Sequence, residues 1–216
     1  EIRTPMNAIL GYAQILRRQD NLAPEHRSAV ETIDRSGSHL LNLLDDVLEL
    51  SKIESGHSEL HERDFDLIQL LQGVESMIVA RCTQQGLDWH LRSPEGPVWV
   101  RGDEGKLTQI LVNLLGNAVK FTSQGGVELS LSPAGGERWQ FIVSDTGPGI
   151  EATVTDRLFT SFEQGAAGLD RGGAGLGLAI AHHFVELLGG ELSFDTEAGV
   201  GTRFLFDVPL SPGQQG

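Results

Sequence analysis

The sequence predicts an α+β protein in two unlike parts: an N-terminal helical hairpin, then an α/β sandwich with helices on one face of a sheet. Three observations carry this. The first 55 residues are poor in glycine and hold two apolar heptad seams. From Phe65 onward the chain becomes glycine-rich and alternates short strand patterns with longer helical ones. Its 216 residues, 39% apolar and 21% charged, make an ordinary globular chain of one domain or two small ones.

The seams come first. Ile2, Met6, Ile9, Ala13 and Leu16 fall at spacings of three and four, as do Val30, Ile33, Gly37, Leu40, Leu44 and Val47. Each is a narrow stripe that must face another helix. The polar stretch Gln19 to Pro24 suits the turn between them, with Pro24 near the start of helix two. Two such helices do not enclose a core, so a four-helix bundle built by two chains is expected. The alternative is an intramolecular hairpin packed on the second domain. Ser55-Gly56-His57 breaks the pattern. The expected domains are therefore the hairpin over 1–56, an α/β domain over 57–210 and a flexible tail over 211–216.

In the second part, Leu67 to Val79 reads as an amphipathic helix, and Leu87 to Leu91 and Val98 to Arg101 as strands. Leu107 to Phe121 is a strong helix by its apolar spacing. Val127 to Leu131 and Trp139 to Ser144 read as strands. Leu176 to Leu188 is a helix closed by Gly189-Gly190. Leu192 to Phe194 and Gly201 to Val208 complete the strands, and the Pro/Gly/Gln-rich tail from Ser211 reads as disordered or linking.

Composition excludes several classes. The chain has 30 acidic and 16 basic side chains, a formal charge of −14, which argues against nucleic-acid binding and against a polybasic membrane surface. Cys82 is the single cysteine, so no internal disulfide forms. No segment approaches the roughly 18 apolar residues of a membrane span. The chain starts at Glu1-Ile2-Arg3-Thr4-Pro5 without an initiator Met, and is expected to be a piece of something longer.

Four segments of the second part carry chemistry. Asn113 and Asn117 lie four apart on one helix face, with Lys120 a turn away. Their carbonyl oxygens suit a Mg²⁺ that takes waters and phosphates as its other ligands, and Lys120 suits a phosphate. Asp145-Thr146-Gly147-Pro148-Gly149-Ile150 follows a strand. Its glycines admit a flat ligand, and an Asp at a strand end accepts from an exocyclic amine such as adenine's, whereas guanine would leave it unpaired. Gly172 to Leu178 opens a helix with glycine amides, a phosphate nest that is neither a Walker loop nor a dinucleotide fingerprint. The small, polar stretch Gly165 to Gly175 before it reads as a lid. Phe159 and Phe162, three apart, suit a seat for that lid.

In this order and spacing the four segments resemble the asparagine, first glycine, phenylalanine and second glycine boxes of the histidine kinase ATP-binding domain. That fold is shared with DNA gyrase, a heat-shock chaperone and the mismatch-repair ATPases. The opening Glu1-Ile2-Arg3-Thr4-Pro5-Met6-Asn7-Ala8-Ile9 resembles the start of the dimerisation and phosphoacceptor helix just after its histidine, and Leu50 to Gly56 resembles the end of the second helix. The resemblance implies a dimeric four-helix bundle followed by an ATP-binding (Bergerat) α/β sandwich, from the kinase core of a two-component sensor. It implies ATP and Mg²⁺ as cofactors, a homodimer, and a response-regulator receiver domain as partner. It also implies a cytoplasmic location for this portion, with membrane anchoring of a longer protein left open.

By the same resemblance Asp145 binds the adenine amine, Gly147 and Gly149 shape the base pocket, and Thr202 helps hold the adenine end. Asn117 is the main Mg²⁺ ligand, with Asn113 and Lys120 near the phosphates. Gly173, Gly175, Leu176 and Gly177 line the triphosphate, and Phe159 and Phe162 brace the lid. Glu1 orients the acceptor imidazole and takes its proton. Thr4, a turn beyond, pairs with Glu1 in the Glu-x-x-Thr pattern, which implies phosphatase activity toward the partner as well.

Two departures stand out. The acceptor histidine itself would sit immediately before Glu1. Ala174 stands where Thr or Ser is common, which removes a hydroxyl and leaves the backbone nest. The seven histidines present read as structural or surface residues, including His61, His182 and His183. A gyrase-type hydrolase would carry a general-base Glu where Asn113 stands, and Asn takes no proton from water. A non-catalytic sensor module would show damaged nucleotide boxes.

Overall fold

The computed structural model describes residues 2–19, 22–151, 155, 157–160 and 175–215. The chain divides into two compact units, Glu1–Gly56 and His57–Gly216.

The first unit is the helix pair α1 (Arg3–Arg17) and α2 (Pro24–Glu54). Pro24 occupies the first turn of α2, where its missing N–H costs nothing. Ion pairs Arg3–Asp45 and Arg17–Asp34 (3.0 Å) set the helices antiparallel. The Arg27 guanidinium donates to the Arg17 and Gln19 carbonyls and so satisfies the open end of α1. The seams are used unevenly. Ala13, Val30 and Gly37 are buried inside the hairpin together with Leu10, which lies off the expected stripe. Ile2, Ile9, Leu16, Ile33, Leu40 and Val47 stay exposed, because one helix pair covers only one side of each stripe. Gly37 is a contact point: a Cβ there would sit 2.8 Å from Leu10 Cδ2 and 3.3 Å from Met6 Cε.

The second unit runs β1 (Arg63–Asp66), α3 (Leu67–Gln85), β2 (Asp88–Arg92), β3 (Trp99–Gly102), α4 (Glu104–Phe121), β4 (Gly126–Gly135), β5 (Arg138–Asp145), α5 (Gly177–Leu187), β6 (Glu191–Glu197), β7 (Gly201–Pro209) and β8 (Ser211–Pro212). Five strands form one sheet in the order β2-β4-β5-β7-β6. β2 pairs parallel to β4, and the other neighbours are antiparallel. Alternate residues of β4, β5 and β7 are buried: Val127, Leu129 and Leu131, then Phe141 and Val143, then Phe204, Phe206 and Val208. Phe141 and Phe206 lie opposite each other in register, and their rings stack at 4.7 Å. The buried stripes of α3, α4 and α5 close this face with Leu71, Val74, Ile78, Leu111, Leu114, Leu115, Ile180 and Phe184.

Three expectations change. α3 runs beyond Val79, because Cys82 is still buried on its inner face and the helix ends only at Gly86, which is left-handed. β1 has a single buried side chain, Phe65, too little for an alternating signal. The tail expected from residue 211 begins as a strand. Ser211 and Pro212 pair with Arg101 and Val100, and Gly213 N donates to the Trp99 carbonyl. The resulting three-stranded sheet, β1-β3-β8, was not legible in a Pro/Gly-rich run because its bonds are all to backbone.

Candidate functional site

Asp145 ends β5 directly opposite Thr202 of β7. Its Oδ1 accepts from Gly147 N at 2.8 Å. Burial pushes its pKa up, and the backbone N–H groups of Gly147 and Thr202 only partly oppose this.

The loop after Asp145 is clamped to the β6–β7 hairpin. Ile150 N donates to Thr196 Oγ1 at 2.8 Å, and that hydroxyl lies 3.1 Å from Thr202 Oγ1. Gly199 N donates to the Pro148 carbonyl at 2.8 Å. Thr146 Oγ1 accepts from Gly126 N at 3.0 Å. Two glycines are required by contact. Gly149, at φ +74°, packs on the Glu197 carbonyl, and Gly201, at φ +145°, packs on the Asp145 carbonyl; a Cβ on either would collide with backbone. Thr196, Thr146 and Gly201 were not singled out from the sequence. Thr196 was findable only through its register position opposite Thr202.

The end of α4 adjoins this loop, since a Cβ on Gly147 would lie 3.3 Å from the Phe121 carbonyl and 3.4 Å from Thr122 Oγ1. Asn113 and Asn117 are half-buried on α4. Asn113 Nδ2 donates to the Gly177 carbonyl at 3.1 Å, which ties the asparagine helix to the first residue of α5. The Asn117 side chain makes no hydrogen bond among the described residues. Lys120 Nζ lies 4.9 Å from the Phe121 ring centroid.

Gly175 and the buried Leu176 lead into α5. Phe159 stacks on His182 of α5 at 4.6 Å and meets Phe194 of β6 edge-on at 5.8 Å. Asp145, Gly147, Gly149 and Thr202 thus come together, and Asn113 joins the start of α5. Thr4 is exposed on α1 in the other unit. Glu1, Phe162, Gly173, Ala174 and the stretch read as a lid up to it lie outside the described residues.

A strand-end carboxylate over a glycine-shaped loop, beside an asparagine helix tied to the next helix's start, defines the class. Residues 102–212 match the family model of histidine kinase-, DNA gyrase B- and HSP90-like ATPases, and residues 1–56 match the His Kinase A phospho-acceptor domain. The chain belongs to this ATPase family, and the two domains together make it a histidine kinase core.

Its relatives are sensors. It is 37% identical over 216 residues to the autoinducer 2 sensor kinase/phosphatase LuxQ of Vibrio cholerae, covering 97% of this chain and 25% of LuxQ. It is 35% identical over 222 residues to the sensory/regulatory protein RpfC of Xanthomonas campestris, covering 99% of this chain and 30% of RpfC. Among solved structures, full-length ShkA in complex with AMPPNP matches with a TM-score of 0.80 and 37% identity, over 99% of this chain and 45% of ShkA. The chain therefore spans between a quarter and a third of these curated relatives. No helix among the described residues is long and apolar enough to cross a membrane.

Proposed function

We propose that this core autophosphorylates a histidine immediately ahead of Glu1 from ATP and passes the phosphoryl group to an aspartate of a response-regulator receiver domain. The observation that carries the reading is Asp145, half-buried at a strand end, its carboxylate held by the backbone N–H groups of Gly147 and Thr202 with acceptor sites to spare. That pattern accepts the exocyclic amine of adenine and leaves guanine unpaired.

The residues present fit MgATP. Gly149 and Gly201 let the loop after Asp145 close on the β6–β7 hairpin, where a Cβ would meet backbone, and so set the floor beside the Asp145 carboxylate. Asn117 has its carboxamide oxygen available to Mg²⁺, which would neutralise phosphate charge. Gly175, Leu176 and Gly177 present the start of α5 toward the phosphates. Asn113 holds that start in place through Gly177. An amide serving as a donor there supports a positioning role and not that of a general base, which favours phosphoryl transfer over hydrolysis.

In the transfer, an imidazole nitrogen of the acceptor forms a bond to the γ-phosphorus as the bond to the ADP oxygen breaks, and Glu1 takes the imidazole proton. Glu1 and Thr4 would later orient a water for dephosphorylation of the partner. Phe159, seated on His182 and Phe194, would brace the segment between it and Gly175, with Phe162 and Gly173 contributing from within that segment. Dimerisation through the exposed stripes of α1 and α2 belongs to the same reading.

The test is a chain carrying a histidine immediately ahead of Glu1, incubated with γ-labelled ATP. Acid-labile, base-stable label is expected. Nucleotide binding without label would favour a non-catalytic sensor module.

A further inference from the structure

Asp103 is one of the few buried polar residues, at 5% exposure. Its Oδ1 accepts from Lys106 N at 2.9 Å and caps α4. Capping uses one oxygen. The other, Oδ2, accepts from His61 N at 2.8 Å, on a segment outside any helix. Lys106 makes a matching tie: its Nζ donates to the Glu59 carbonyl at 2.7 Å and pairs with Asp103 Oδ2 at 3.5 Å. The ammonium also sits 5.3 Å over the Phe184 ring of α5. Burial alone would raise the Asp103 pKa, yet the N–H groups of His61 and Lys106 and the nearby ammonium hold it below its ordinary value.

On the other side, α2 closes with Gly56 N donating to the Ile53 carbonyl at 3.0 Å. Between that bond and Glu59 stand only His57 and Ser58, neither of which makes a side-chain hydrogen bond among the described residues. Beyond His61, Arg63 already pairs with Gly102 in the three-stranded sheet.

We propose that Asp103 and Lys106 form a clamp that fixes the first residues of the second unit, confining the untied connection between the units to His57 and Ser58, and that both are positioning residues for transfer to the histidine ahead of Glu1. The proposal rests on the kinase reading above. Its physical content is effective concentration. Releasing Glu59 and His61 would lengthen the stretch without a backbone tie from residues 57–58 to 57–62, about threefold, because the remaining Glu62–Arg101 pair at 3.7 Å is exposed and holds little. Effective concentration falls roughly as the −3/2 power of tether length, so the transfer rate should drop about fivefold.

The test uses the chain carrying a histidine ahead of Glu1, with Asp103→Asn and Lys106→Met combined. Asn keeps the capping oxygen and sets an amide NH₂ against His61 N–H. Met keeps the aliphatic stem without a donor. Faster amide exchange at His61, a Kd for AMPPNP within about twofold of the parent, and autophosphorylation at saturating MgATP slowed about fivefold are expected. Lys106→Met alone, which leaves the cap untouched, should slow the reaction in the same direction, and Lys106→Arg should keep the parent rate. Faster His61 exchange with an unchanged rate overturns the clamp, and so does unchanged exchange. A parent that binds nucleotide without labelling overturns the kinase reading and this inference with it, whereas a labelling parent matched by an equally fast double variant overturns the clamp alone.

Discussion

In the helical hairpin Leu10, Ala13, Val30 and Gly37 are buried, while Tyr12 is 71% exposed, Ile2 58% and Leu40 48%. In the second unit the inward faces of β4, β5 and β7 are closed by the chain's own α3, α4 and α5, down to 0% exposure at Phe141 and Leu115. The contrast teaches how the two kinds of element finish a core. A sheet offers one broad face, and three helices of the same chain cover it. A pair of helices leaves a stripe on each that only further helices can cover. The hairpin is therefore the unit left with uncovered apolar stripes, which under the proposed reading a second copy covers, and the sheet unit is the one that closes its own core.

The comparison breaks most severely if the sheet unit fails to unfold on its own. Phe141→Ala removes a fully buried ring and its stack on Phe206, and should cost the sheet unit about 3–5 kcal/mol. Thermal unfolding followed by circular dichroism should then show that transition moving down in temperature while the helical transition of the hairpin stays. A single shared shift would mean the units are one cooperative body. The next effect is on assembly. Ile9→Glu or Leu40→Glu replaces an exposed stripe residue whose burial between copies is worth about 1.5–3 kcal/mol, and a symmetric dimer loses it twice. Sedimentation equilibrium at micromolar concentration should show a dimer for the parent and monomers for the variants, with nucleotide affinity unchanged. A parent that is already monomeric would sharpen the comparison differently, by giving the stripe to another partner.

Much of this was legible from the residues, for reasons that differ by element. α4 and α5 carry strong apolar periods and end where the sequence says. Asp145 was legible because a strand pattern stops at it and Gly147 and Gly149 follow. β1 was not, because Arg63-Asp64-Phe65-Asp66 holds one apolar side chain and owes its strand to pairing with β3. The seam residues were found, yet which side of the stripe the hairpin uses depended on the missing Cβ of Gly37, a contact that spacing does not encode. The tie from Asn113 to Gly177 spans 64 residues of sequence, and the double duty of Asp103 joins α4 to a segment 42 residues earlier. Long-range backbone acceptors of this kind leave no periodic trace.

The claim on which the rest depends is that Asp145 reads adenine. Calorimetric titration of the chain and its Asp145→Asn variant with ATP and GTP, at neutral pH, tests it most directly. Because burial raises the Asp145 pKa, the folded state holds that proton more tightly than the unfolded one. Its contribution to stability is complete below the unfolded pKa and is lost as the pH rises through the folded value. The Asn variant should therefore be at least as stable as the parent at pH 7, with the advantage vanishing in acid. The account predicts that the parent binds ATP and not GTP, and that the stably folded Asn variant binds neither. Parent-like ATP affinity in that variant would contradict it.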